Sequence, residues 1–256
     1  MPFTHKVVAI TGGGTGMGRA VAQAFLERGA RLVINGRRAD VLEAAAHELD
    51  PSGERLAMVV GDIGGVGTAT RLVQTAVERF GGLDVLINNA GVFKPIPFLD
   101  TTEADLDYNL GAILKGSFFA AQAAIPALQQ RGGGAIVNTG SMWALQAIGA
   151  TPSAAYSAAK AGVHALTHNL AIEFAKDHIR VNAIAPAVVE TPVFNTFLSD
   201  EQVAQVLPTF HNLHPLGRNG QTRDIVAAVL FFASDEANWI TGTILPVDGG
   251  VMAGRP

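Results

Sequence analysis

The chain has 256 residues, 48% of them hydrophobic and 16% charged, with a formal net charge of −4 and no cysteine. That length and apolar content suit one large α/β domain around a heavily buried core. The weakly acidic balance excludes a phosphate-tracking nucleic-acid surface, and the missing thiols exclude disulfides, thiolate nucleophiles and cysteine-based zinc sites.

The opening residues Met1 to Lys6 lack the apolar core of a signal peptide, and no unbroken apolar run reaches the ~18–20 residues of a membrane span, so no membrane and a cytoplasmic location are expected. Lys6 to Thr11 (KVVAIT) is a β-branched run that leads directly into TGGGTGMG at 11–18, then into RAVAQAFLERGA with apolar residues at helical spacing. This is strand, glycine turn, helix. The pattern repeats with RLVIN at 31–35, RLAMVV at 55–60 and LDVLIN at 83–88, each followed by a helical tract. The tract from Thr101 to Arg131 has Asp100, Thr101 or Thr102 available as a cap. Glu103, Asp105 and Asp107 suit its positive N-terminal end better than a catalytic role.

Gly132-Gly133-Gly134 breaks that tract, AIVNTG at 135–140 is a fifth strand, and a loop leads to the helix carrying Tyr156 and Lys160. IRVNAIA at 179–185 is a sixth strand, residues 192–216 form an irregular excursion, and a helix over Thr222–Ser234 with a strand TILPVD at 243–248 closes the chain. Strands alternating with helices predict a parallel sheet, and strands that are apolar throughout predict helices on both of its faces. The expected fold is a single-domain doubly wound α/β sheet over residues 1–256, a Rossmann fold of about seven strands.

Within TGGGTGMG, Gly12 permits the tight turn, Gly16 lets a pyrophosphate approach the backbone, and Gly18 lets helix and strand pack closely. Where an NAD-binding chain usually places an acid on the ribose 2′-hydroxyl, this chain has Asn35-Gly36-Arg37-Arg38. A guanidinium there would grip a 2′-phosphate, so Arg37 and Arg38 favour NADP(H) and leave NAD(H) as the alternative. Tyr156 and Lys160, four apart on a helix, share one face. A cation beside a phenol should pull its pKa below the usual value of ~10 and make Tyr156 a general acid.

Taken together in this order, these pieces resemble the short-chain dehydrogenase/reductase family from about Lys6 to Gly250. The resemblance rests on TGGGTGMG at 11–18, Asp62 after the third strand, NNAG at 88–91, Asn109 in the fourth helix, Ser141 after the fifth strand, YSAAK at 156–160 and PAVVETP at 186–192. It implies an oxidoreductase that interconverts a carbonyl and a secondary alcohol. Asn109, Ser141, Tyr156 and Lys160 would be its catalytic residues. Ser141 would hold the reacting oxygen and Tyr156 exchange a proton with it, Lys160 would bind ribose hydroxyls, and Asn109 would position a relay water. The resemblance also assigns Thr15 and Met17 in the glycine turn, Asp62 and Ile63 at the adenine, Asn89, Ala90 and Gly91, and Pro186, Val189 and Thr191 to the cofactor, with Asn88 bracing the sheet. It further implies a homotetramer or homodimer through the fourth and fifth helices, with the tail near Asp248 to Gly250 involved.

Ser141 stands 15 positions before Tyr156, a longer spacing than the family's usual one, which makes Ser153 a rival; Ser141 is favoured because it directly follows the strand. Ala187 takes the place of a usual glycine after Pro186. His164 and His168 lack the intervening glutamate of a zinc hydrolase, and no serine sits in a GxSxG elbow. Val193, Phe194, Phe197, Leu198, Phe210 and Leu213 in the excursion, with Trp143 and Leu145, suggest an apolar small-molecule substrate or packing of the excursion on itself. His211 and His214 are open between substrate contact and solvent. Two alternatives to a small-molecule carbonyl reductase are an acyl-carrier-protein-type 3-oxoacyl-thioester reductase and a catalytically silent nucleotide sensor.

Overall fold

Among the described residues, seven strands make one parallel sheet in the order β3-β2-β1-β4-β5-β6-β7. They are β1 (Val7–Thr11), β2 (Arg31–Gly36), β3 (Leu56–Val60), β4 (Val85–Asn88), β5 (Gly134–Thr139), β6 (Ile179–Pro186) and β7 (Ile244–Val247). The computed structural model describes residues 3–149 and 151–254, so the chain ends and Ala150 of the long loop lie outside the described residues. Val8, Ile10, Leu32 and Ile34 point into one core layer, and Val7, Ala9 and Val33 into the other. Both faces are therefore apolar, as the uninterrupted strand sequences require.

Helices α1 (Gly16–Glu27) and α8 (Thr222–Ala233) cover the first layer, and α2 (Ala39–Leu49) adds Leu42 to it. Helix α3 (Val66–Phe80) and α5 (Gly116–Gln130) cover the second. Fully buried side chains such as Phe25 and Leu72 each stabilise the fold by about 1.5–3 kcal/mol. Strand order reverses between β1 and β4, where Val8 pairs with Leu32 on one side and Val85 on the other. The crevice beyond the carboxyl ends of these two strands is where an open α/β sheet binds its ligand.

The tract after β4 is one continuous helical run. It begins as α4 (Glu103–Asn109), widens to a π turn over Leu110–Lys115, and resumes as α5. Thr102 caps it, its hydroxyl accepting from the Asp105 backbone N–H. From Glu103 to Gln130 the run is the one helix among the described residues long and apolar enough to cross a membrane, yet α5 packs its apolar side on α3 and the sheet.

Helix α6 (Ala154–Glu173) carries Tyr156 and Lys160. Ser153 occupies its cap position without a capping bond; the hydroxyl donates to the Thr151 carbonyl at 3.0 Å instead. The excursion is more regular than its prolines suggest, with a short helix α7 (Asp200–Val206) between 3-10 turns at Phe194–Thr196 and Leu207–Leu213. A Ser199–Gln202 capping box starts α7, a local signal that the proline-rich surroundings masked.

Candidate active site

The glycine turn is held from β4. Thr11 Oγ1 accepts the backbone N–H groups of Asn89 and Ala90, each at 3.0 Å, and Asn89 Nδ2 donates to the Thr11 and Gly12 carbonyls, each at 3.2 Å. Gly12 has a left-handed φ of +66°, and a Cβ on Gly18 would lie 2.2 Å from the Gly12 carbonyl oxygen. Only glycine lets α1 start this close to β1. Thr11 was not singled out in the sequence, because a hydroxyl at a strand end has no local pattern that marks its partner.

A polar chain fixes the next strands. Asn88 Nδ2 donates to Asn138 Oδ1 at 2.9 Å and to the Ser117 carbonyl at 3.2 Å, while Asn138 Nδ2 donates to Thr167 Oγ1 on α6 at 2.9 Å. This chain sets the height of α6 against β5. Lys160 then reaches the Thr139 carbonyl with its Nζ at 2.5 Å, and Ser141 lies just past the strand, its hydroxyl bonded to the Tyr156 phenol. Ser141 Oγ also accepts the Trp143 backbone N–H at 3.2 Å. Ser153 turns back to Thr151, so Ser141 alone of the two serines meets the phenol.

The electrostatics depart from the expectation for Tyr156. Burial pushes the phenol above its ordinary pKa, and the Ser141 hydrogen bond offsets only part of that rise. Lys160 does not reverse it, because its Nζ sits 5.8 Å from the ring centroid and is spent on a backbone carbonyl. Burial also lowers Lys160 itself to about 7, so at neutral pH its charge is only partly present. Asn109, at the start of the π turn, donates Nδ2 to the Asp105 carbonyl at 2.8 Å, and its buried Oδ1 has no partner among the described residues. The π turn puts a wide helical turn directly after Asn109, as such turns often do at functional sites.

Tyr156, Lys160, Asn109 and the glycine turn open into one cleft of about 530 Å³, which Ser141 itself does not line. Gly12, Thr15, Gly16, Met17, Arg37 and Arg38 line it, together with Asn109, Tyr156, Lys160 and Val189. The size lies within the ~300–1,000 Å³ typical of small-molecule and cofactor sites.

Comparison with known proteins supports one assignment. The family described as "Enoyl-(Acyl carrier protein) reductase" matches residues 12–252. A (2S)-[(R)-hydroxy(phenyl)methyl]succinyl-CoA dehydrogenase subunit from Thauera aromatica is 35% identical over 250 residues, covering 98% of each chain. The chain belongs to the short-chain dehydrogenase/reductase family. Levodione reductase of Leifsonia aquatica is 36% identical over 258 residues, 98% of this chain and 96% of the relative. A solved levodione reductase superimposes with a TM-score of 0.90 at 35% identity, covering 98% of this chain and 99% of that one. An L-rhamnose 1-dehydrogenase (NAD(P)(+)) from Sphingomonas is 35% identical over 248 residues, 96% of each. As a short-chain dehydrogenase/reductase this protein is a nicotinamide-dependent oxidoreductase acting on CH–OH or C=O groups.

Other residues singled out in the sequence fall in and out of this short-chain dehydrogenase/reductase cleft. Asn89, Ala90, Gly91, Pro186 and Thr191 line it; Asp62, Ile63 and Gly18 do not. Ile63 is buried and packs on Gly116, whereas the Asp62 carboxylate accepts the Gly64 backbone N–H at 2.9 Å. Val193, Phe194, Phe210 and Trp143 line the cleft, but Leu145 is 44% exposed outside it. Phe197 and Leu213 stay in the cluster under the excursion, and Leu198 does not line the cleft. His214 touches neither substrate space nor solvent: it is buried against Gly249, with Nδ1 bonded to the Phe210 carbonyl at 2.9 Å. His164 is buried and His168 exposed, so the pair makes no ligand set, and no metal-binding cluster occurs among the described residues.

Phe93 and Thr151 also belong to the site, and no motif in the sequence marks them. Phe93 meets Tyr156 edge-on at 5.0 Å and Phe197 at 5.9 Å, closing an aromatic wall beside the phenol. Thr151 Oγ1 accepts the Trp143 indole N–H at 2.7 Å, which pins the lengthened loop, and the Ile96 backbone N–H donates to the Pro152 carbonyl at 2.9 Å. A hydroxyl eight residues from an indole carries no spacing signal.

Proposed function

We propose that this protein is an NADP(H)-preferring reductase and dehydrogenase of a small, apolar ketone or secondary alcohol, with Tyr156 as proton donor and acceptor. The observation that carries the reading is that Tyr156 and Lys160 line one cleft with the glycine turn, with Ser141 buried directly behind the phenol. Bound nicotinamide supplies or accepts the hydride. The residues present fit such a cofactor: a tight glycine cradle, a buried Lys160 Nζ, and an unpartnered Asn109 Oδ1 along the same cleft. In reduction, the Ser141 hydroxyl holds the carbonyl oxygen as charge builds on it and the Tyr156 proton moves to that oxygen. In oxidation the Tyr156 phenolate takes the alcohol proton. Lys160 would hold the cofactor ribose, and Asn109 would keep a water in place for proton exchange.

Arg37 and Arg38 at the adenosine end support NADP(H). Arg37 lies 5.3 Å over the Tyr108 ring, Asn35 turns inward to the Val59 and Gly61 carbonyls at 2.9 and 3.0 Å, and residues 35–38 at this strand end carry no acid. Replacing Arg37 and Arg38 together with Ala should raise KM for NADPH by roughly 10–100-fold and leave KM for NADH within about threefold, the scale of charge-assisted bonds to a phosphate. Steady-state kinetics of wild type and variant with both cofactors checks this; a wild-type preference for NADH overturns it.

The aromatic wall of Phe93, Trp143, Phe194 and Phe210 supports a flat apolar substrate. A thioester substrate is the second reading, favoured by the name of the matching family and by the CoA ester in the name of the Thauera relative. A panel of cyclic ketones, steroids, sugars and acyl thioesters with NADPH separates the two; turnover confined to thioesters decides for the second. Location in the cytoplasm and assembly as a homodimer or homotetramer belong to the same proposal. Exposed Leu106 and Phe118 on α4 and α5, and Trp239 at 96% exposure, support assembly.

A further inference from the structure

His164 extends the Tyr156–Lys160 face by one more turn of α6 and is buried there. Its Nε2 accepts the backbone N–H of Ser141 at 3.3 Å. An acceptor Nε2 places the ring proton on Nδ1 and requires a neutral imidazole. Burial, and after it the neighbouring charges of Lys160 and His168, hold His164 down to about 4, so the ring is neutral throughout the working range.

The residue before Ser141 makes room for this contact. Gly140 directly follows β5, its N–H donating to the Ile184 carbonyl at 2.8 Å, and a Cβ there would stand 2.1 Å from His164 Nε2. No side chain fits at position 140 while the imidazole occupies its place. Gly140 and His164 are thus two halves of one device: the missing side chain just past the strand admits the ring, and the ring takes the N–H of the next residue.

We infer that His164, seated against Gly140, is the positioning residue that aims the Ser141 hydroxyl at Tyr156. This rests on the reading of Ser141 as the holder of the reacting oxygen. The Ser141 backbone would otherwise begin the turn after β5 with a buried N–H unpaired, free to twist toward any nearby acceptor. Because Ser141 Oγ follows its backbone, such a twist moves the hydroxyl off the phenol. His164 itself touches neither substrate nor cofactor in this role.

The test approaches the contact from both sides. His164→Ala should lower kcat by about tenfold, the order of leaving one buried N–H without a partner, and leave KM for NADPH unchanged. It should also move the alkaline limb of the oxidation rate to higher pH, since the Ser141 bond is what lowers the Tyr156 pKa. Gly140→Ala should give the same losses by pushing the ring away, and the double variant Gly140→Ala/His164→Ala should be no worse than His164→Ala alone, the non-additivity of a shared contact. If His164→Ala fails to fold, Gly140→Ala alone carries the test through its kcat and pH limb. In a Ser141→Ala background neither change should lower kcat further. Wild-type kcat and an unmoved pH limb in His164→Ala or Gly140→Ala overturn the inference, provided Ser141→Ala itself is impaired. Should Ser141→Ala keep full activity, the failure lies in the role given to Ser141 and the inference falls with it.

Discussion

Tyr156→Phe should lower turnover with any accepted ketone by roughly 10²–10⁴-fold, the contribution of a positioned proton donor, with little change in KM. The phenyl ring keeps its edge-on contact with Phe93 and its place between Ser141 and Lys160, so the loss isolates the proton. Residual turnover near the wild-type rate would remove Tyr156 from the chemistry and leave the cleft as a nucleotide sensor. The same phenol predicts an asymmetric pH response. With its pKa raised by burial, Tyr156 stays protonated through neutral pH, and reduction should be insensitive to acid on its account. Oxidation needs the phenolate, whose fraction grows as pH rises, so the oxidation rate should climb on the alkaline side. Rate measurements in both directions, with the chemical step limiting, check the difference.

Lys160→Met should abolish most turnover and yet stabilise the cofactor-free protein at neutral pH. In the folded chain burial brings Lys160 from its ordinary 10.5 to about 7. Between those two values the unfolded chain binds a proton that the folded chain does not, so this group makes stability rise with pH by up to ~1.4 kcal/mol per unit. Below about 7 both states carry the proton, and the cost of burying the ammonium is at its maximum. Methionine removes that cost while leaving the Thr139 carbonyl without a donor, a loss of about 1–3 kcal/mol. The first effect spans more than three pKa units and is the larger. Thermal melts of wild type and variant from pH 7 to 10 should show the variant with the higher Tm at pH 7 and the flatter slope. An equal slope in both proteins would mean that Lys160 folds with its charge fully compensated. A buried cation kept at a cost in stability is consistent with a bound cofactor completing its environment, as proposed above.

Much of the architecture was legible in the chain because it depends on short-range patterns. Uninterrupted apolar runs of strand length between helical periods announce a parallel sheet covered on both faces, and the seven strands lie where those runs predict them to within about two residues. TGGGTGMG marks its own turn because only glycine permits the Gly12 conformation and the approach at Gly18. The four-residue step from Tyr156 to Lys160 places both on one helix face without help from the rest of the fold. Ser141 is preferred to Ser153 because it follows a strand end.

What tertiary structure alone decided lies in contacts between distant parts of the chain. The Thr11 hydroxyl meets residues 78 and 79 positions away, Phe93 reaches Tyr156 and Phe197 from another loop, and His164 finds the Ser141 N–H 23 positions back. The helix α7 was hidden by prolines around it, and the π turn after Asn109 leaves no mark in composition. Most instructive is the direction of the Tyr156 shift. Spacing alone puts a cation beside a phenol and predicts a lowered pKa, but desolvation is a property of the packed interior, and here it outweighs a Lys160 that is itself partly neutral and turned to a carbonyl. Sequence determines which residues can share a face; burial, summed over the whole fold, determines the charge they carry there.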